Sequence, residues 1–169
     1  MPGLALFHRL EPQTKQEVEF MKSKALLPPS YFFMCGILAI ALHFVVPVAS
    51  WVPVSVRWIG AIPIVFGAVL NLWADQLFKQ RLTAVKPEEV PTQLVREWPF
   101  SWFRHPMYIG MVMILFGISL LCGSVGSLVG PALLWVIMRV RFIPMEEKSL
   151  QDTFGAAYEE YARKVKAWM

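Results

Sequence analysis

The sequence predicts an all-α integral membrane protein with about four transmembrane helices, an interfacial helix before them and an amphipathic cytoplasmic helix after them. Three observations carry this. The 169 residues are 56% hydrophobic and only 17% charged, against roughly 25% charged in a soluble domain. Asp, Glu, Lys and Arg are absent from the 32 residues 25–56, the 17 residues 58–74 and the 34 residues 105–138, and about 20 apolar residues suffice to cross a bilayer. Once spans are drawn through these stretches, fifteen of the 16 basic residues fall on one side and only Arg57 on the other. The same composition, with two cysteines, excludes a disordered chain, a collagenous repeat and a disulfide scaffold.

Residues 1–29 read as a cytoplasmic segment preceding a single membrane domain, 30–169. Thr14-x-x-Glu17 is a capping box, and Val18, Met21 and Ala25 share a face, which predicts a short helix lying on the membrane surface. The first 25 residues hold acids and no apolar core segment, so no cleavable signal peptide is expected. Pro28-Pro29 place the start of the first span at Ser30, acting as N-cap, and Pro47 and Pro53 mark its exit, giving a span of about 30–47. The second span runs from about 58 to 78, with Asp75 in its last turn.

A single helix over the third charge-free stretch would be about 51 Å long, far more than the hydrocarbon thickness. Cys122-Gly123-Ser124-Val125-Gly126-Ser127 supplies turn chemistry in its middle, so the prediction is a hairpin of two spans, 106–121 and 127–143. Helices over 144–168 follow on the cytoplasmic side. Phe154-Gly155 bends them, and Tyr158, Tyr161, Val165 and Trp168 form an apolar stripe.

The basic residues cluster before span one, between spans two and three, and after span four. The positive-inside rule therefore puts both termini and the 79–104 loop in the cytoplasm. Topology and anionic lipid account for the net charge of +4 without a nucleic-acid partner. Cys35 and Cys122 fall in or beside spans and read as packing residues, as does His43, and no metal site is expected.

Polar and aromatic residues concentrate at the cytoplasmic ends of the last three spans. Pro106 suits the first turn of a helix, which puts Arg104 and His105 at its mouth and Tyr108 and Gly110 one turn inside. Such a mouth could receive an anionic group; an interfacial belt of Trp98, Trp102, Phe103 and Tyr108 with Arg104 snorkelling is the competing reading. Pro144 ends the fourth helix or opens the next. Glu146 and Glu147 then either complement a helix dipole or form an anionic pocket for a cation.

Taken together, Leu94-Val95…Arg104-His105-Pro106-Met107-Tyr108-Ile109-Gly110 and Glu146-Glu147-x-x-Leu150-x-x-x-Phe154-Gly155-x-x-Tyr158-x-x-Tyr161, set around a hairpin, resemble the isoprenylcysteine carboxyl methyltransferase and phospholipid methyltransferase superfamily over about residues 60–166. That resemblance implies methyl transfer from S-adenosylmethionine to a lipid-borne or hydrophobic acceptor, which could be a carboxylate, thiol or amine, in a membrane of bacterial inner-membrane type. It also implies a cofactor pocket built from Arg104, His105, Tyr108, Gly110, Glu146 and Glu147. Arg139 and Arg141 are candidates to orient an anionic acceptor. Trp98-Pro99-Phe100 and Lys79-Gln80-Arg81-Leu82-Thr83 depart from the pattern of the isoprenylcysteine branch, and the Thr83…Pro87 spacing is closer to bacterial and phospholipid-type relatives.

Two other functions compete. A sterol-type reductase using NADPH shares an Arg-His-Pro segment, but Met107 and the Glu-Glu…Phe-Gly-x-x-Tyr segment argue against it. A scaffold or small transporter is the non-enzymatic alternative. Transport pathways place ionisable groups at mid-depth, and here only Asp75, near an end, carries charge within a span.

Overall fold

A computed structural model describes residues 27–45, 50–82 and 91–167. The Thr14–Glu17 capping box, the Val18, Met21 and Ala25 face, Pro47, the Thr83…Pro87 spacing and Trp168 lie outside these residues.

The first helix, α1, spans Pro28–Val45, so it begins two residues earlier than expected. Its first turn needs no intrahelical donors, so prolines are tolerated there, and the Ser30 N–H closes that turn on the Leu27 carbonyl at 2.9 Å. Ser30 is therefore inside the helix and not its cap. A 3-10 turn over Val54–Gly60 runs directly into α2, Ala61–Gln80, extending the second span at both ends. α3 covers Pro106–Cys122, with Pro106 opening it.

The return arm is more continuous than predicted. A 3-10 turn, Val125–Leu128, leads into α4, Val129–Ile137, then a π-helical turn, Met138–Phe142, and α5, Ile143–Phe154. Pro144 opens α5 without breaking the run. Its missing N–H and bulky ring disturb the regular ladder one turn upstream, where the widened π turn lies. Gly155, at φ 51°, ends α5, and α6 covers Ala156–Lys164.

Three of these runs are long and apolar enough to cross a membrane, Pro28–Val45, Val54–Gln80 and Val125–Phe154, and α3 is a shorter apolar helix of 17 residues. Their burial pattern is that of helices in lipid. Along α2, Pro63, Gly67, Leu70, Ala74 and Leu77 face inward, while Ile62, Val65, Phe66, Val69 and Trp73 are exposed. Small groups inside and large apolar groups outside suit association by close van der Waals packing, since lipid is as apolar as the side chains it touches.

α3 is the central element, packing along α2 and also on α1 and α4. Gly67 and Gly110 make the α2–α3 approach so close that a Cβ on Gly67 would lie 2.4 Å from the Gly110 carbonyl oxygen. At the far end the hairpin turns on Gly123, whose φ of 70° is open to glycine. There Ser119 Oγ donates to the Ser127 carbonyl at 2.7 Å, and His43 Nδ1 meets Ser124 Oγ at 2.9 Å. His43 is thus a hydrogen-bonded packing residue, and Cys35 is buried as expected, whereas Cys122 is half-buried.

Candidate active site

The opposite end of the bundle gathers the two motif segments. Pro106 starts α3 and leaves His105 as its N-cap residue, and the π turn and Pro144 bring the first turn of α5 alongside. His105, with a side chain 1% exposed, lies between two carboxylates: Nδ1 is 3.1 Å from Glu146 Oε2 and Nε2 is 3.3 Å from Glu147 Oε1. A neutral imidazole donates from one nitrogen only. Two carboxylate acceptors on the two nitrogens therefore call for the imidazolium. Burial alone would push this pKa down, but hydrogen bonds to Glu146 and Glu147 and their negative charge outweigh it and raise it to about 9.

Arg104 completes the group. Its Nε and Nη2 donate to Glu147 Oε1 at 2.9 and 2.6 Å, and its Nη1 donates to the carbonyls of Ala162 and Val165 at 2.8 and 3.0 Å. The cluster thus joins a buried imidazolium and a largely buried guanidinium to two half-buried carboxylates. One turn into α3, the Tyr108 ring stacks on His105, centroids 5.7 Å apart and planes at 11°, and Phe142 of the π turn closes on Tyr108 at 6.4 Å.

A cavity of about 250 Å³ opens beside this cluster. Arg104, His105 and Glu146 form its polar end. Leu27, Pro28 and Pro29 at the start of α1, Phe78 at the end of α2, and Phe100, Pro106, Met107 and Tyr108 make the rest apolar and aromatic. The Glu146 carboxylate beside aromatic faces suits an organic cation, and the apolar remainder suits a hydrophobic group. The residues present therefore fit a sulfonium- and ammonium-bearing cofactor next to a greasy acceptor.

Of the residues singled out from sequence, Arg104, His105, Tyr108, Glu146 and Glu147 come together. Gly110 lies instead at the α2–α3 contact, where a Cβ would be 2.1 Å from Asn71 Nδ2. Arg139 and Arg141 are exposed in the π turn and do not line the cavity; Arg139 lies over the Trp135 ring at 5.6 Å and Arg141 over Tyr31 at 5.7 Å. Of the four residues read as an interfacial belt, Trp98 and Trp102 are exposed, Phe103 is half-buried and Tyr108 is 6% exposed.

Sequence reasoning missed the apolar wall, Phe78, Phe100 and Met107, because each is an ordinary apolar residue in an apolar chain. The amphipathic helix expected beneath the bundle is α6, with Tyr158 and Tyr161 buried, but the groups that dock it were missed. Tyr161 donates its hydroxyl to the Phe100 carbonyl at 2.6 Å, and Arg96 donates to the Ala157 carbonyl at 2.8 Å. The Tyr158 and Tyr161 stripe was the available signal for that contact. Among the described residues no group of three or more His, Cys, Asp or Glu side chains is arranged to hold a metal ion.

A family model described as phospholipid methyltransferase matches residues 55–157. The chain is 36% identical over 110 residues to the protein-S-isoprenylcysteine O-methyltransferase of Xenopus laevis, covering 63% of this chain and 38% of that protein. It is 26% identical over 145 residues to protein-S-isoprenylcysteine O-methyltransferase B of Arabidopsis thaliana, covering 80% and 72%. Against the Homo sapiens protein of the same name the identity is 27% over 175 residues, covering 98% of this chain and 61% of that protein. The chain thus spans well under two thirds of the Xenopus and human proteins. No solved structure matches it.

Proposed function

Because the chain belongs to the phospholipid methyltransferase family, we propose that it is a membrane methyltransferase. It moves a methyl group from S-adenosylmethionine to a lipid-borne or hydrophobic acceptor at the cytoplasmic face. The observation that carries this reading is the buried His105 clasped by Glu146 and Glu147 at the polar end of an apolar cavity.

When bound, S-adenosylmethionine supplies a methyl group made electrophilic by its sulfonium. Glu146 and Glu147 offer carboxylate oxygens to its cationic groups, and Tyr108 and Phe100 offer ring faces. His105 and Arg104 hold the two carboxylates in place, so little reorganisation is needed when a cation arrives. The apolar wall excludes water and holds the acceptor in line, and positioning supplies much of the acceleration.

One feature of the cluster narrows the acceptor. His105, held as an imidazolium, cannot act as a general base near neutral pH, Glu147 already accepts from Arg104 and His105, and Glu146 already accepts from His105. An ammonium acceptor must first lose a proton. A carboxylate or thiolate needs no base, and the isoprenylcysteine relatives favour the carboxylate.

The test is binding of S-adenosylhomocysteine to the purified protein in detergent, beside His105→Ala and Glu147→Ala. Binding that both variants lose supports the reading. No binding at millimolar ligand, or binding of NADPH instead, overturns it. Labelled methyl transfer into a lipid extract and into a prenylated cysteine analogue then identifies the acceptor.

A further inference from the structure

Arg104 stands out for how many parts of the chain it holds at once. It precedes α3, yet its guanidinium reaches Glu147 on α5 and the carbonyls of Ala162 and Val165 at the end of α6. Four of its five N–H donors are used in this way. Its backbone N–H donates to the Lys166 carbonyl at 3.0 Å, and Phe103 pairs with Lys166 in a short parallel bridge. The side chain is 12% exposed.

The last carbonyls of a helix have no intrahelical donor and carry partial negative charge. Arg104 satisfies two carbonyls at the end of α6 and the Glu147 carboxylate with one rigid, planar cation. A flexible point charge such as Lys cannot span three acceptors in this way. Glu147 takes Arg104 and His105 on the same oxygen, so the Arg104 fork sets where that carboxylate sits relative to the imidazole.

We propose that Arg104 is a positioning residue whose donors serve the protein, and that through it the C-terminal segment 162–166 holds Glu147 against His105. α6 is then a latch on the site as well as a cover beneath the bundle. Loosening the segment would release the Glu147 carboxylate while leaving Glu146 and the apolar wall of the cavity unaltered. Its consequence for cofactor affinity rests on the function proposed above; its consequence for His105 does not.

His105 reports on the arrangement, because position and charge act on it in opposite directions. The charged and titratable groups around it are Arg104, Glu146, Glu147, Tyr108 and Tyr158. Were Arg104 merely a nearby positive charge, Arg104→Gln would raise the His105 titration midpoint. If Arg104 holds Glu147 in place, the same substitution lets the carboxylate leave and the midpoint falls by about one pH unit or more.

The experiment is an NMR titration of the full chain in detergent with labelled histidine, the resonance being assigned by His105→Gln. We expect a fall in Arg104→Gln, a smaller fall in Arg104→Lys, and no further effect of Arg104→Gln in a Glu147→Gln background. Amide exchange over 156–166 should rise about tenfold or more in Arg104→Gln. Should that variant fail to fold, Arg104→Lys carries both measurements. A midpoint that rises or stays, additive effects of the two substitutions, or unchanged exchange overturns the proposal. A fallen midpoint with unchanged S-adenosylhomocysteine affinity upholds the positioning role and overturns the assigned role of Glu147.

Discussion

The buried imidazolium makes stability depend on pH in a way that can be worked through. Folding raises the His105 pKa from 6.5 to about 9. A raised pKa means the folded chain binds the proton more tightly, so the stabilisation is fully present below pH 6.5 and is lost as pH rises through 9. At about 1.4 kcal/mol for each tenfold change in proton affinity, the full effect is about 3 kcal/mol. About 2.5 kcal/mol of it disappears between pH 6.5 and 9. The side chain is 1% exposed, so solvent screening takes little away. The assay is unfolding in mixed micelles with increasing denaturing detergent, repeated across that pH range. Tyr158 and Tyr161, whose pKa values burial pushes up, add their own loss above pH 10, so the scan ends near pH 9.5. His105→Gln should be less stable throughout and should lose most of the slope. The slope, not the level, is diagnostic. An equal slope in the variant would refute the reasoning that an imidazolium is held between the two carboxylates.

Five further outcomes are expected. Gly67→Ala drives a Cβ to 2.4 Å from the Gly110 carbonyl, which no rotamer can relieve, and should destabilise by about 1–3 kcal/mol in the same unfolding assay. Tyr161→Phe removes the 2.6 Å bond to the Phe100 carbonyl and should cost about 1–2 kcal/mol. Tyr158→Phe should cost less, because the buried Tyr158 hydroxyl lies near the Glu147 carboxylate but makes no well-formed hydrogen bond among the described residues; equal losses would count against this account of α6. Glu147→Gln should weaken S-adenosylhomocysteine at least about tenfold, the loss of one charge-assisted hydrogen bond, as read by calorimetry. With the native cysteines replaced, Ser101→Cys should react with a membrane-impermeant maleimide only when the cytoplasmic face is exposed, and labelling of intact cells would reverse the orientation.

The site and the fold depend on each other through α3. The contact at Gly67 and Gly110 sets its distance from α2, and its N-terminus presents His105 to α5. Phe78, which ends α2, and Pro28 and Pro29, which begin α1, are then brought to the same cavity. A change that separates α2 from α3 should therefore disturb the cavity from a distance of several turns.

Much of this protein was legible in its residues. Charge-free stretches of 32, 17 and 34 residues locate apolar helices because burying a charge in hydrocarbon is prohibitive. Gly123 and the serines around it locate the hairpin turn, since local backbone chemistry decides turns. The two motif segments point to His105, Tyr108, Glu146 and Glu147 together. Other features belonged to the tertiary structure alone. Pro28-Pro29 read as a barrier and Pro144 as the end of one helix or the opening of the next, yet a first turn and a π turn accommodate them, and only the neighbouring backbone reveals that. Gly110 has no local feature separating a packing glycine from a ligand-binding one; the 2.1 Å approach of Asn71 does. Arg104 looked available for an anion or a headgroup, because a sequence cannot count which acceptors lie within reach of a side chain. Ala162 and Val165, some sixty positions away, present backbone carbonyls that leave no trace in residue identity, and folding alone brings them to the guanidinium.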